Sequence, residues 1–271
     1  MLEINFEVAE KVIVGFIRDS IQKNNFKNGI LGVSGGLDSA VVLALTRKAL
    51  GKDHSLGLLM PYQSSSPESL THGKMICDQF GVKYELIDIS PAVNAYFDQY
   101  PTNNRILIGN KCARERMSVL YDFSIRKKAL VIGTSNKSEL LIGYSTLFGD
   151  SAAAFFPLGD LYKTQIFDFA RYLKIPEVII NKKPSADLWK DQTDEKEIGI
   201  SYRELDEILY QLIDRRKKDK DIQKLGYPQE WIKKIKNLIM NSQFKRTMPP
   251  IPKLQNRTIG LEFRYLRDWN K

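Results

Sequence analysis

The sequence predicts an α/β protein: a parallel sheet flanked by helices, followed by a helical C-terminal extension. Three observations lead there. Four short apolar runs, at 29–33, 55–60, 83–89 and 129–133, read as strands, and stretches of helical apolar spacing separate them. Strands that alternate with helices pair in parallel and are covered on both faces. Beyond Leu161 the strand signal fades, and helices are expected at about 161–174, 201–218 and 228–241. The 271 residues, 43% of them hydrophobic, suffice for one domain, with an α/β core over about 1–160 and an extension over about 161–271.

Each element has its own signal. A first helix is expected from about Glu7 to Asn24, because Val8, Val12, Phe16 and Ile17 recur at helical spacing. Gly29-Ile30-Leu31-Gly32-Val33 follows as a strand, then a Gly/Ser turn and an apolar helix over 38–50. Ser55 to Met60 is the second strand. Pro67 suits a helix start, where its missing N–H has no partner to lose, and Phe80-Gly81 closes that helix. Lys83 to Ile89 is the third strand, and a helical pattern from about Asn110 to Lys128 leads into the fourth, Ala129 to Gly133. In such sheets ligands bind beyond the carboxyl ends of the strands. The loops 34–39, 61–66 and 134–139 should therefore share one cleft.

Composition excludes several classes. No run of about 18 apolar residues is present, so no membrane span is expected. Residues 1–10 lack the basic-then-apolar pattern of a signal peptide. Cys77 and Cys112 are too few for a disulfide framework or a cysteine-built metal site, and a reducing cytoplasm is the expected location. The net charge of +9 is local: residues 211–253 hold 12 Lys/Arg against 4 Asp/Glu, and the remainder is nearly balanced. That stretch reads either as an RNA- or anion-binding tail or, more plainly, as the solvated face of amphipathic helices.

Ser34-Gly35-Gly36-Leu37-Asp38-Ser39 lies between the first strand and its helix. A Gly/Ser turn there presents backbone N–H groups and hydroxyls to an anion, and Asp38 adds a carboxylate suited to an Mg²⁺ that a phosphate also binds. No Gly-Lys-Ser/Thr follows, so it is not a Walker loop. A Gly-rich turn whose serine merely caps a helix is the alternative. After the fourth strand, Gly133-Thr134-Ser135-Asn136-Lys137-Ser138-Glu139 offers hydroxyls, an amide, a cation and a carboxylate in one turn. Glu139 by itself reads equally as a helix-capping acid; together with Asp38 it reads as half of a metal clamp.

The turn at 34–39 resembles the pyrophosphate-binding loop of the N-type ATP pyrophosphatases, whose adenine nucleotide alpha hydrolase-like, Rossmann-like fold agrees with the predicted class. The resemblance narrows with Asn110-Lys111-Cys112-Ala113-Arg114-Glu115-Arg116-Met117, Gly143-Tyr144-Ser145-Thr146, Phe148-Gly149-Asp150, Leu161-Tyr162-Lys163-Thr164-Gln165, Pro184-Ser185-Ala186-Asp187-Leu188 and Asp194-Glu195. This series, in this order, is similar to the ammonia-dependent NAD synthetases from about residue 10 to 250. The resemblance implies a ligase that adenylates the nicotinate carboxylate of deamido-NAD with ATP, releases pyrophosphate, and lets ammonia displace AMP. It implies ATP contacts at Gly32, Val33, Ser34, Gly35, Gly36, Leu37, Asp38, Ser39, Thr134, Lys163 and Ser185, Mg²⁺ ligands at Asp38 and Glu139, and deamido-NAD contacts at Arg114, Lys245 and Arg246. Asp38, Glu139 and Lys163 would carry the chemistry by positioning Mg-ATP and stabilising charge. Considered singly, Arg114 also reads as a surface ion pair and Lys163 as a snorkelling helix residue.

Three positions depart from the family pattern. Phe244 replaces a histidine, and Leu147 and Ala154 stand where the family commonly has a lysine and an aspartate for deamido-NAD; Asp150 is a nearby substitute. The polar segment 181–200 reads as a loop that orders over ATP and excludes water, as the family's does. The resemblance also implies a homodimer built on the region of Tyr96, Phe97, Tyr100, Met117, Leu120, Tyr121 and Phe123. No length remains for a glutamine amidase domain, so free ammonia is the expected nitrogen source. The rivals are an RNA-modifying enzyme of the same superfamily, which the basic stretch would support, and a regulatory protein that binds ATP without cleaving it.

Overall fold

A computed structural model describes residues 3–185, 187, 189, 192–260, 262 and 263. Of the motif residues, Ala186 and Leu188, and of the polar segment Lys190 and Asp191, lie outside the described residues.

The chain runs α1 (Phe6–Gln22), β1 (Asn28–Gly32), α2 (Leu37–Leu50), β2 (Ser55–Leu59), α3 (Pro67–Phe80), β3 (Lys83–Leu86), α4 (Ser90–Gln99), α5 (Arg105–Arg126) and β4 (Ala129–Val131). Helices follow: α6 (Lys137–Ile142), α7 (Lys163–Tyr172), α8 (Glu177–Ile180), α9 (Asp194–Ile198), α10 (Tyr202–Leu209), α11 (Asp219–Gln223) and α12 (Gln229–Asn241). The π-helical turn Tyr210–Asp214 prolongs α10. The four strands form one parallel sheet in the order β3-β2-β1-β4. The chain moves outward from β1 to β3 and then returns to the other side of β1. The crevice between the carboxyl ends of β1 and β4 is thus the switch point where such sheets bind ligands.

The predicted elements are present, with shorter strands. β3 ends at Leu86 and β4 at Val131, although single N–H bonds carry the pairing one step on, from Ile87 to the Leu59 carbonyl and from Ile132 to the Ile30 carbonyl. Pro67 opens α3, and Gly81, at φ +60°, closes it in the left-handed conformation that glycine adopts without strain. Helices α4, α6, α8, α9 and α11 are too short or too irregular in apolar spacing to be placed from sequence.

The first helix differs in its facing. Val8, Val12 and Phe16 are exposed, and the buried face is Ala9, Ile13, Ile17, Ser20 and Ile21. This helix carries two apolar stripes, and α2 covers only one.

Two buried clusters flank the cleft on the helical side. The larger joins α1, α2 and α3 to Leu161, Ile166, Phe169, Leu173, Ile179 and Ile180. The other joins Ile142 and Tyr162 to α10, α11 and α12. The change near 161 therefore marks where strands end, while α7 and α8 still pack with the first cluster. Each fully buried side chain such as Phe169 contributes roughly 1.5–3 kcal/mol. The basic stretch behaves as an amphipathic layer: Ile222, Ile232 and Ile235 are buried, and Arg215, Arg216, Lys218, Lys233, Lys234 and Lys236 are exposed. Among the described residues no helix is long and apolar enough to cross a membrane.

Candidate active site

The loops after β1, β2 and β4 open on one cavity of about 590 Å³, lined from 32–39, from 58–70 and from 131–139. The turn after β1 is built by its own side chains. Ser34 Oγ accepts from Gly36 N–H at 3.2 Å and lies 3.1 Å from Ser39 Oγ, which itself donates to the Gly36 carbonyl at 2.9 Å. Gly35 sits at φ +74°, and a Cβ there would lie 2.0 Å from the Ser69 carbonyl oxygen. Only glycine permits both that conformation and that approach of α3. Gly36, as the N-cap of α2, supplies no side-chain acceptor, so the first-turn N–H groups face the cleft without a capping side chain.

Lys163, the first residue of α7, is 3% exposed. Its ammonium donates to the Asp38 carboxylate, reaches Glu139 Oε1 at 3.4 Å, and lies 5.3 Å from the centroid of the Tyr202 ring. Burial opposes the charged ammonium, but Asp38 and Glu139 outweigh it and raise Lys163 above the usual lysine range. Burial raises the Glu139 carboxyl to about 8, against the pull of Lys163 and with a push from Asp38. Glu139 also closes a capping box, since its N–H donates to Asn136 Oδ1 at 3.0 Å and its Oε2 accepts from Asn136 N–H at 3.3 Å. The capping reading of Glu139 is thus observed, and the same carboxylate also faces Lys163 beside Asp38.

Other predicted residues divide by position. Gly32, Val33, Ser34, Gly36, Leu37, Asp38, Ser39, Thr134, Glu139, Lys163, Ser185 and Lys245 line the cavity, whereas Gly35 supports the turn from behind. Lys245 donates to the carbonyls of Gly143 and Ser145 at 2.7 and 2.6 Å. Arg246 lies outside the cavity lining and clamps helix ends, donating to the carbonyls of Leu140, Leu141 and Ile239 at 2.9, 2.7 and 2.5 Å. Arg114 is also outside the lining, exposed on α5 with Nε donating to the Leu147 carbonyl at 3.3 Å. Neither Leu147 nor Ala154 lines the cavity, but Asp150 does.

The cavity also holds Arg116, to which sequence reasoning gave no role, and residues of the segment 181–200 that it placed over the site only as a loop. Arg116 donates to the Met60 carbonyl at 3.0 Å and Ser65 Oγ at 3.4 Å; burial lowers its guanidinium from the usual value, and Cys112, Asp187 and Asp150 oppose that. Asp194 accepts from the hydroxyls of Tyr144 and Tyr202, each at 3.1 Å, and burial raises its carboxyl against the pull of Lys163. Asp187 accepts from Ser66 N–H at 3.2 Å, and Lys182 donates to Ser69 Oγ at 2.7 Å, so the described part of 181–200 crosses the cleft to α3. Arg116 and Asp194 both fall inside quoted motifs, but no spacing rule aims their side chains inward.

The NAD synthase family profile matches residues 9–249. The chain is also 47% identical over 270 residues to the NH(3)-dependent NAD(+) synthetase of Trichlorobacter lovleyi, covering all of this chain and 99% of that one. This chain belongs to the NAD synthase family. Among solved structures of that family, the NH3-dependent NAD synthetase of Campylobacter jejuni in complex with nitrate has a TM-score of 0.79 at 33% identity, covering 93% of this chain and 100% of that one. A structure of NMN synthetase from Francisella tularensis has a TM-score of 0.82 at 29% identity, covering 92% and 99%. The fold expected for an NAD synthase is the one observed, and full-length membership sets aside the RNA-modifying rival.

Proposed function

We propose that the chain joins ammonia to deamido-NAD at the expense of ATP, giving NAD, AMP and pyrophosphate. The observation that carries this reading is the meeting of Asp38, Glu139 and Lys163 beside the uncapped first turn of α2, in a family member aligned along its whole length. A carboxylate is a poor acylating agent. Its oxygen attacks the α-phosphorus of ATP, the bond to pyrophosphate breaks, and the acyl adenylate then exchanges AMP for ammonia at its carbonyl carbon.

The chain's own groups fit this chemistry. The amides of 36–39 and the hydroxyls of Ser34 and Ser39 bind the departing pyrophosphate, and Lys163 stabilises charge gathering on phosphate oxygens. Asp38 and Glu139 would hold a Mg²⁺. Both already bind one cationic group, and their hard oxygens suit that ion. Among the described residues no three His, Cys, Asp or Glu side chains converge as a metal cage, so phosphates and water would complete the coordination. When bound, the ion would supply Lewis-acid polarisation of the phosphates. The segment crossing to α3 would keep water from the adenylate.

A homodimer is part of this proposal. Of the residues expected at the interface, Tyr96, Tyr100 and Tyr121 are exposed, whereas Phe97, Leu120 and Phe123 pack against a buried cluster and Met117 lines the cavity. Ile106, Leu107 and Ile125 add to the exposed face of α4 and α5, and Arg114 stands on it, outside its own protomer's cleft. A second copy covering this face would bring Arg114 toward a dinucleotide. Both cysteines are unpaired and buried, which supports a cytoplasmic location.

The test is to supply ATP, Mg²⁺, ammonium and deamido-NAD and to assay NAD and AMP, with Asp38→Ala as control. Equimolar NAD and AMP, abolished in the control, are expected. Nicotinate mononucleotide run in parallel decides the acceptor: amidation of it alone would replace deamido-NAD in this reading.

A further inference from the structure

Asp206 lies on α10, outside the cavity lining and wholly buried. Its carboxylate accepts from Ser138 Oγ at 2.5 Å through one oxygen and from the backbone N–H of Thr164 at 2.8 Å through the other. Ser138 Oγ, also wholly buried, accepts in turn from the backbone N–H of Lys163 at 3.0 Å. One carboxylate thus fastens the residue before Glu139 to both sides of the peptide chain at Lys163. A second does the same from further along. Asp214, at the end of the π-helical turn, accepts from Tyr162 Oη at 2.5 Å and from Lys137 Nζ at 2.9 Å. The immediate neighbours of Lys163, and the two residues before Glu139, are all tied to this one helical segment.

Packing alone does not call for a carboxylate here. Leu205, Ile208 and Leu209 on the same helix are fully buried, and an apolar residue at 206 would extend that surface without the desolvation cost of an acid. Burial raises the Asp206 carboxyl, and the Ser138 hydroxyl and Thr164 N–H oppose that. An acid with two acceptor oxygens satisfies both donors at once; an amide has a single acceptor, so with Thr164 N–H on its oxygen the Ser138 O–H loses the acceptor it has in the wild type.

We propose that Asp206, acting through Ser138, is a positioning residue that sets Lys163 against Glu139, so that the C-terminal helical layer controls the geometry of phosphate-charge stabilisation. This rests on the reading of Lys163 and Glu139 as part of the ATP site. Buried polar supports of this kind hold reacting groups within a fraction of an ångström, and small misplacements reduce rate more than binding.

The experiment uses the full chain with Asp206→Asn, Ser138→Ala, the double variant and Lys163→Met, each measured for melting, ATP dissociation constant, kcat and the KM for deamido-NAD. Asp206→Asn and Ser138→Ala are each expected to lower kcat by roughly 10- to 100-fold, with both binding measures near wild type. The double variant should be no slower than the worse single one, because the two residues act in series. Folded variants with wild-type kcat, or losses that multiply, would overturn the proposal. If Asp206→Asn does not fold, Ser138→Ala, which removes one hydroxyl, decides alone. Lys163→Met separates the two levels: wild-type turnover in it sinks the reading of the site, whereas its loss alongside normal Asp206→Asn and Ser138→Ala sinks only the positioning role.

Discussion

The ammonium of Lys163 donates to the carboxylate of Asp38 although 125 residues separate them in the chain. The contact joins the start of α2 to the start of α7 across the switch point of the sheet, with Glu139 from α6 as the third member. Removing the cation leaves the half-buried Asp38 and Glu139 carboxyl groups facing each other without a counter-charge, and Glu139 then holds its proton more tightly. Lys163→Met is expected to destabilise the ligand-free protein by about 3–5 kcal/mol at pH 8 and to cut turnover by at least about 100-fold. Urea unfolding and an AMP assay check both; wild-type stability would show that the pair does not hold this junction.

The same cluster predicts a pH dependence. Glu139 titrates near 4.5 when unperturbed and is raised to about 8 in the fold, chiefly by burial. Between those values the folded state keeps a proton that the unfolded chain has released. Stability from this group is complete below about 4.5 and is lost as pH rises through about 8. The slope contributed is at most about 1.4 kcal/mol per pH unit. Glu139→Gln should flatten the fall between pH 5 and about 8 in ligand-free protein. Parallel curves for variant and wild type would refute the assignment.

Gly35 offers a backbone test of the turn. Gly35→Ala places a methyl group against the Ser69 carbonyl and forces a side chain into φ +74°. Backbone strain alone should cost about 1–3 kcal/mol, and the displaced turn should weaken ATP binding measured by calorimetry. Unchanged affinity would mean that the turn does not cradle phosphate.

The exposed face of α4 and α5 predicts association. The full chain should sediment as a dimer at micromolar concentration, and Tyr121→Asp with Ile125→Asp should give a folded monomer. Arg114→Ala should then raise the KM for deamido-NAD without changing the affinity for ATP, since its side chain lies outside this protomer's cavity. A wild-type monomer with full activity would remove the dimer from the proposed function.

Much of the architecture was legible because it depends on short-range patterns. Apolar runs of strand length, Pro67 and Gly81 at the ends of α3, and the Gly/Ser turn with Asp38 after β1 each signal through residues near one another. Their alternation dictates a parallel sheet, and the sheet dictates a cleft at its carboxyl ends. The strand-end loops paired Glu139 with Asp38, and the family motifs added Lys163 as a phosphate contact; its bond to Asp38 came only with the structure. By itself, therefore, the sequence determined the class of fold, the end of the sheet at which the cleft opens and the family.

Only the tertiary structure decided which faces and which donors are used. Val8, Val12 and Phe16 have the same spacing as the buried stripe of α1, and nothing local says which stripe meets α2. Arg114 and Arg116 stand two residues apart on α5 and point to different surroundings, one to the exterior and one to the cavity. Lys245 and Arg246 were expected side by side at the substrate; Lys245 lines the cavity while donating to the Gly143 and Ser145 carbonyls, and Arg246 lies outside the lining and donates to carbonyls of α6 and α12. Asp206 gave no signal, and Ser138 was legible only as one hydroxyl of the 133–139 turn, not as a link to α10. A buried hydrogen bond depends on the distance between elements far apart in the chain, and periodicity along one element carries no information about that distance.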